Sequence, residues 1–199
     1  MTHSEVGSMA NSEGLSPNQA YKQEQIVAAA QVVLLRDGLA GCTARAIAQE
    51  GPLTKSAIHY YFDDLDVLID RAMAAHVNEF LATLRRIALK HEEPRIRLFE
   101  VLRAFLDAFS ERSTSAFLWF EYWIAASHAE HLRAVDVMLR SMTELLTELL
   151  SAVGGDDPRA RARALLSYLL GTIVQQQVRK RPFATLRTEM ERLCLAEYH

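Results

Sequence analysis

The sequence is short of cysteine, of excess basic charge and of long apolar runs, and each shortage excludes a class of protein. The two cysteines, Cys42 and Cys194, lie far apart and in no metal-like or redox-like spacing, so a secreted disulfide framework is not expected. Charged residues or histidine interrupt every hydrophobic run before it reaches the roughly 18 residues of a membrane span. The first residues have neither the basic nor the apolar region of a signal peptide. We therefore expect a cytoplasmic protein with no membrane partner.

The short motifs of common enzyme classes are also missing. The chain has no G-x-S-x-G, no H-E-x-x-H, no phosphate-cradling glycine loop and no Cys-x-x-Cys. We expect neither an enzyme nor a cofactor, although dispersed carboxylates and histidines from several helices remain an alternative. His128 and His131 follow Glu121 at helical spacing, but no further ligand stands at a convincing distance. No metal site is predicted.

The charge balance by itself does not favour nucleic-acid binding. The formal net charge is −3, and DNA affinity comes largely from Lys and Arg at phosphates. Within residues 20–65 the bases Lys22, Arg36, Arg45 and Lys55 face the acids Glu24, Asp37, Glu50, Asp63 and Asp64. Any DNA surface in this segment must therefore rest on a few placed cations and hydroxyl groups.

What the chain does have is helical apolar spacing almost throughout. Ser, Asn, Gly and Glu dominate residues 1–19 without apolar periodicity, which predicts a flexible N-terminal tail. Beyond it, apolar residues recur at spacings of three and four, so the sequence predicts an all-α fold with little or no strand. About nine helices are expected, near residues 22–37, 43–50, 54–61, 64–90, 95–111, 115–127, 130–153, 158–180 and 184–197.

Residues 42–62, C-T-A-R-A-I-A-Q-E-G-P-L-T-K-S-A-I-H-Y-Y-F, have the pattern of two short helices joined by a tight turn. Thr43 and Thr54 can act as N-caps of the two helices, and Leu53 is placed to fill the turn between them. The outer face of the second helix carries short polar side chains, so this helix can enter a major groove closely. The pattern predicts a helix-turn-helix, although an ordinary pair of packed helices would show the same periodicity.

The order of I-V-A-A-A, D-G-L-A-G-C-T-A-R-A-I-A and L-T-K-S-A-I-H-Y-Y-F resembles the N-terminal region of tetracycline-repressor family regulators. The resemblance covers about residues 22–70. It implies a helix-turn-helix DNA-binding domain over residues 20–65 and an effector-binding and dimerisation domain over residues 66–199. The predicted DNA-contacting residues are Thr43, Arg45, Thr54, Lys55, Ser56, Ala57, His59 and Tyr60.

Two positions depart from the family pattern. Family members usually have Ala-Gly in the turn where this chain has Gly51-Pro52, and proline cannot take the positive φ that the glycine supplies. We therefore expect Gly51 to absorb the turn one residue early. The family also tends to place a lysine at the start of the long helix, where this chain has Leu65, so one phosphate contact is expected to be missing.

The region from Phe99 to Met142 concentrates aromatic and sulfur side chains. Such a set suits a small-molecule site, and the resemblance implies an effector pocket, although the same residues would also serve as ordinary core. No chemical class of effector is favoured. The predicted pocket residues are Phe105, Phe109, Trp119, Phe120, Tyr122, Trp123, His128, Met138 and Met142.

The last two helices, about residues 158–197, carry apolar faces that suit a homodimer interface, or alternatively close the core of one subunit. By resemblance they pair across a two-fold axis, which implies a palindromic operator. The resemblance thus implies a transcriptional regulator, a repressor that a small-molecule effector releases from double-stranded operator DNA. The Gly51-Pro52 turn, Leu65 and the acidic balance leave one alternative, a helical ligand-binding or interaction dimer without sequence-specific DNA binding.

Overall fold

The computed structural model describes residues 16–110, 114–129 and 133–195, and within these ranges every regular element is an α-helix. The prediction of an all-α fold is confirmed. The helices of the described part are α1 Pro17–Gly41, α2 Ala44–Glu50, α3 Lys55–Tyr61, α4 Leu65–Ala88, α5 Pro94–Ser110, α6 Thr114–Ala129, α7 Arg133–Val153, α8 Pro158–Val178 and α9 Phe183–Leu195.

Helix α1 begins at Pro17, not near residue 22 where the apolar period starts. The Ser16 side chain accepts a hydrogen bond from the Gln19 N–H (3.3 Å), and the Gln19 side chain accepts one from the Ser16 N–H (2.9 Å). This reciprocal capping box, with proline at the first helical position, satisfies amide groups that the helix itself leaves unpaired. The end of the predicted tail is therefore helical, and residues 1–15 lie outside the described residues.

Helix α4 joins the N-terminal helices to the rest of the chain. It has 24 residues, which correspond to a length of about 36 Å. It packs against α1 on one side and against α5 and α7 on another, while α7 packs extensively on α8. The buried apolar residues form one continuous cluster that runs from Ile26 in α1 to Cys194 in α9. A displacement of α4 would therefore change its contacts with α1 and also its contacts with α5 and α7.

The turn between α7 and α8 contains two consecutive glycines, Gly154 and Gly155. Gly154 and Gly155 have φ of +95° and +88°, and the Asp157 side chain caps α8 by accepting from Ala160 N–H (3.0 Å). Arg161 is only 5% exposed and lies beneath this turn. It donates hydrogen bonds to the carbonyls of Gly154 (2.9 Å), Gly155 (3.1 Å) and Cys194 (2.7 Å), so one cation holds the ends of α7 and α9 together.

Candidate functional site

Helices α2 and α3 form the predicted helix-turn-helix, and threonine caps both. The Thr43 side chain accepts from the Ala46 N–H and the Thr54 side chain from the Ala57 N–H, each at 3.2 Å. Ile47 is 1% exposed and Ile58 is 2% exposed, because both face the N-terminal core. The caps and the buried faces together fix which side chains of the two helices remain outside.

The turn between α2 and α3 differs from the expected geometry. Gly51 has φ −102° and ψ 174°, an ordinary extended conformation, so the expectation that it takes a positive φ is wrong. A Cβ at this position would lie 3.1 Å from Ala29 Cβ of α1 and 3.4 Å from the Ile47 carbonyl oxygen. Glycine is therefore suited to this turn because α1 passes close to it. Leu53 is partly buried against the core, as predicted.

The predicted DNA-contacting side chains lie on the outside of α2 and α3. Tyr60 is 72% exposed, and Ala57 alone of the set is half-buried. The exposed members are Thr43, Arg45, Thr54, Lys55, Ser56, His59 and Tyr60.

Two of the cations in this segment carry charge that nearby acids do not neutralise. Arg45 and Lys55 form no ion pair with any residue in the described part of the chain. Arg36, in contrast, bonds to Asp37 (2.9 Å) and Glu50 (2.5 Å), and its hydrogen bond holds the pKa of Asp37 below the ordinary range. The positive charge available for a phosphate on α2 and α3 is therefore that of Arg45 and Lys55.

A buried polar contact beneath α3 is not among the features predicted from the sequence. Gln23 of α1 is 9% exposed, and its side-chain amide donates to the carbonyl of Tyr61, the last residue of α3 (3.4 Å). The side-chain oxygen of Gln23, Oε1, accepts from Arg71 Nη1 of α4 (3.0 Å). The signal was in the sequence, because Gln23 lies on the same helical face as the buried Ile26 and Ala30.

The aromatic region contains two groups of rings. Phe105 and Phe109 of α5 pack with Phe80 of α4, with ring centroids 5.4 to 5.9 Å apart. Trp119 and Tyr122 of α6 have centroids 6.3 Å apart. Phe80 is not among the predicted pocket residues, although its place on the amphipathic face of α4 indicates that it points inward.

The remaining predicted pocket residues are divided between the interior and the surface. Met138 and Met142 of α7 are buried, and Phe120 is half-buried. Trp123 is 46% exposed, so the structure does not bring it into the buried set. The side chain of His128 lies outside the described residues.

The hydroxyl of Tyr122 donates a short hydrogen bond to the Asp70 carboxylate of α4. The same oxygen of Asp70 accepts from the N–H of Ala134, near the start of α7 (3.4 Å). Burial, reinforced by the Asp70 carboxylate, raises the pKa of Tyr122, so the hydroxyl remains a donor at neutral pH. Asp70 forms no ion pair with a described residue, and its carboxylate joins three helices through neutral donors.

Much of the apolar face predicted for dimerisation lies inside the subunit. The α8 and α9 residues in the core include Leu165, Leu166, Leu169, Ile173, Leu186 and Met190. Val174 and Val178 stay 52% and 91% exposed, and no described atom lies within 4 Å of a Cβ added at Gly171. An open groove of about 470 Å³ also follows α9, lined by Ala184, Thr185, Thr188, Glu189 and Arg192.

The described residues also bear on metal sites and membrane spans. Among them, no three His, Cys, Asp or Glu side chains are grouped as metal ligands would be. His131, one member of the pair considered above, lies outside the described residues. In the same part of the chain no helix has the length and apolarity required to cross a membrane.

Comparisons with known proteins agree with this architecture. Residues 93–195, more than half of the chain, match the family model described as tetracyclin repressor-like, C-terminal domain. The chain is 27% identical over 154 residues to the HTH-type transcriptional regulator BetI of Paraburkholderia phymatum, and the match covers 76% of this chain and 77% of that protein. BetI of Proteus mirabilis is 22% identical over 171 residues, 83% of this chain and 85% of that protein.

Solved structures show the same fold. The multidrug binding protein EbrR complexed with imidazole has a TM-score of 0.68 at 24% identity, covering 96% of this chain and 100% of that chain. Reduced NemR of E. coli has a TM-score of 0.70 at 18% identity, covering 87% of this chain and 97% of that chain. With the family match over the C-terminal half, these results confirm the predicted fold and regulator class: the chain belongs to the tetracycline-repressor family of helix-turn-helix transcriptional regulators.

Proposed function

We propose that this regulator is a cytoplasmic repressor that binds a palindromic operator as a homodimer and leaves it when a small molecule binds among α4 to α7. The observation that carries the DNA-binding part is the outer surface of α2 and α3. There Arg45 and Lys55 are exposed and unpaired within the described residues, beside the short side chains of Thr54, Ser56 and Ala57. Small residues let a recognition helix approach base edges closely, and the two cations can bind phosphates.

The operator complex should depend on few phosphate contacts. Arg45 and Lys55 on the outer surface of α2 and α3 form no ion pair with a described residue, and Leu65 stands where family members tend to place a lysine. Each phosphate neutralised adds about 0.9 to the slope of log affinity against log salt. We therefore expect operator affinity to depend only weakly on salt for each subunit. Hydroxyl groups and backbone N–H groups would make the other contacts that position the protein on DNA.

A small-molecule effector is supported by the aromatic groups and by the structural neighbours. Solved EbrR complexes contain proflavin and ethidium, and RolR was solved with resorcinol. In this chain the rings of Phe80, Phe105 and Phe109 connect α4 with α5. A ligand inserted among these rings would displace α4, and a displaced α4 would change the separation of the two α3 helices in the dimer.

The homodimer is proposed through α8 and α9. Val174 and Val178 leave apolar surface on α8, and the open groove along α9 borders Glu189 and Arg192. Two antiparallel helix pairs brought together by a two-fold axis would cover both features. Such a dimer places two α3 helices on successive major grooves, which predicts half-sites one helical turn of DNA apart.

The test is fluorescence anisotropy with labelled DNA from beside the gene, against shuffled competitor, over a salt series. Lys55→Ala should weaken binding and reduce the salt slope by about one per subunit. Lys90→Ala is the matched control, because Lys90 is exposed just beyond α4 and forms no ion pair with a described residue. Equal binding by both variants, or no sequence preference in the wild type, would favour the DNA-free dimer instead.

A further inference from the structure

We propose that Gln23 and Arg71 are positioning residues that fix α3 against α4 and thereby set operator affinity without contacting DNA. The bridge consists of the Arg71 guanidinium, the Gln23 side-chain amide and the Tyr61 carbonyl group. Its effect on affinity rests on the DNA-binding function proposed above. The bridge itself is a property of the free protein and can be tested without DNA.

The Tyr61 carbonyl is one of the groups that a short helix cannot satisfy by itself. The last carbonyls of any helix have no partner within it, and α3 has only seven residues. Gln23 supplies a donor to the Tyr61 carbonyl from a side chain that is 9% exposed. Because water has little access to this amide, a change in the angle between α1 and α3 would leave polar atoms of both helices without partners.

Arg71 holds the same end of α3 in a second way. Its guanidinium carbon lies 5.6 Å from the centroid of the Phe62 ring, and Phe62 is the C-cap of α3. Phe62 is 5% exposed, so the ring cannot move without opening the core. Arg71 also forms no ion pair with a described carboxylate, so its donors are available to Gln23. One side chain of α4 thus contacts the C-cap of α3 directly and its last carbonyl group through Gln23.

The chain offers a close control for Gln23. Gln31, two turns further along α1, also joins α1 to α4, because its side-chain amide donates to Glu79 Oε2 at 2.7 Å. That bond involves no atom of α3. Loss of either glutamine removes a link between α1 and α4, but of the two glutamines Gln23 is the one that also bonds to α3.

The first test compares operator binding by Gln23→Leu and Gln31→Leu at a temperature where both are folded. Gln23→Leu should lower affinity by about tenfold, the effect of one hydrogen bond to a charged group, with an unchanged salt slope because no phosphate contact is lost. Gln31→Leu should bind as the wild type does. Equal affinities for the two variants would overturn the proposal, and so would a slope that falls as it does in Lys55→Ala.

A second test measures amide hydrogen exchange over residues 55–62 in the free proteins. Gln23→Leu should accelerate exchange in this segment, whereas Gln31→Leu should not, because local protection reports the stability of each element. Equal protection in the two variants would overturn the bridge, even for a wild type that binds no DNA. If the wild type fails to bind any DNA while Gln23→Leu alone loses protection, the proposed function is wrong and the bridge stands.

A double-mutant cycle with Arg71→Met separates a connected bridge from two independent contacts. Residues of one hydrogen-bond network show non-additive effects. If the bridge acts as a unit, the effect of Gln23→Leu should be smaller in the Arg71→Met background than in the wild type. We expect the logarithms of the exchange rate and of the affinity to change by less than half as much. Full additivity would show that the contacts act separately and would contradict the proposal.

Discussion

Asp70 and Arg71 are consecutive on α4, yet their side chains bond to different parts of the molecule. Asp70 accepts from the Tyr122 hydroxyl of α6 and the Ala134 N–H of α7, whereas Arg71 donates to Gln23 of α1. Successive side chains on a helix point in directions about 100° apart, so both contacts can form at one level of α4. A rotation of α4 at this level would disturb its contacts with α1, α6 and α7 together.

Tyr122→Phe should destabilise the protein more than Tyr168→Phe. In Tyr122→Phe the half-buried Asp70 carboxylate loses its hydroxyl donor and, among the described residues, keeps the longer bond from the Ala134 N–H. A lost bond to a charged group costs about 1.5–3 kcal/mol of unfolding free energy, which urea denaturation would measure. The Tyr168 hydroxyl also bonds to a carboxylate, Glu189, but Arg181 still holds that group at 2.8 Å. A larger loss in Tyr168→Phe would contradict the role given to Asp70.

Gly155→Ala should cost more stability than Gly154→Ala, although the two backbones are similarly strained. Both residues have positive φ, so a side chain at either position costs about 1–2 kcal/mol. A Cβ at Gly154 would meet no atom of the described residues within 4 Å, whereas one at Gly155 would lie 3.0 Å from Arg161 Nη1. Arg161 cannot move aside without losing its bonds to the carbonyls of Gly154, Gly155 and Cys194. Thermal unfolding of the two variants would test this prediction, and equal melting temperatures would contradict the role given to Arg161.

The advantage of wild type over Cys194→Ala in unfolding free energy should shrink as pH rises above 9. Burial raises the pKa of Cys194 from its ordinary value of 9.0 to about 12, so folding favours the protonated thiol. This stabilisation is complete below the unfolded pKa and is lost as pH rises toward the folded one. Between about pH 8 and about pH 10.5 the difference should fall by about 2 kcal/mol. A constant difference across this range would mean that the thiol is accessible to water in the native state.

The helix order could be predicted from sequence because local patterns determine it. Thr43 and Thr54 cap α2 and α3 as expected, since caps depend on residues close in the chain. The S-P-N-Q capping box at the start of α1 was missed, although it is equally local. It precedes the apolar period, which served to locate the helix.

The contacts between distant segments could not be predicted. Gln23 and Tyr61 are 38 residues apart, and Tyr122 and Asp70 are 52 residues apart. Spacing within a helix shows which face a residue occupies, but not which partner meets that face. For the same reason the sequence pointed to the backbone conformation of Gly51 and not to its surroundings. Glycine is suited to this position because α1 passes close to it.

The contact of Gly51 with Ala29 has a consequence for building chimeric regulators from family members. A recognition segment transplanted with an Ala-Gly turn would bring a methyl group to a position 3.1 Å from Ala29 Cβ, closer than two carbons pack comfortably. Overpacking of this kind forces backbone shifts, and here the shift would tilt the transplanted helices away from their host. Helix α1 and the turn of this chain therefore form one exchangeable module, and a new DNA specificity should be introduced by moving them together.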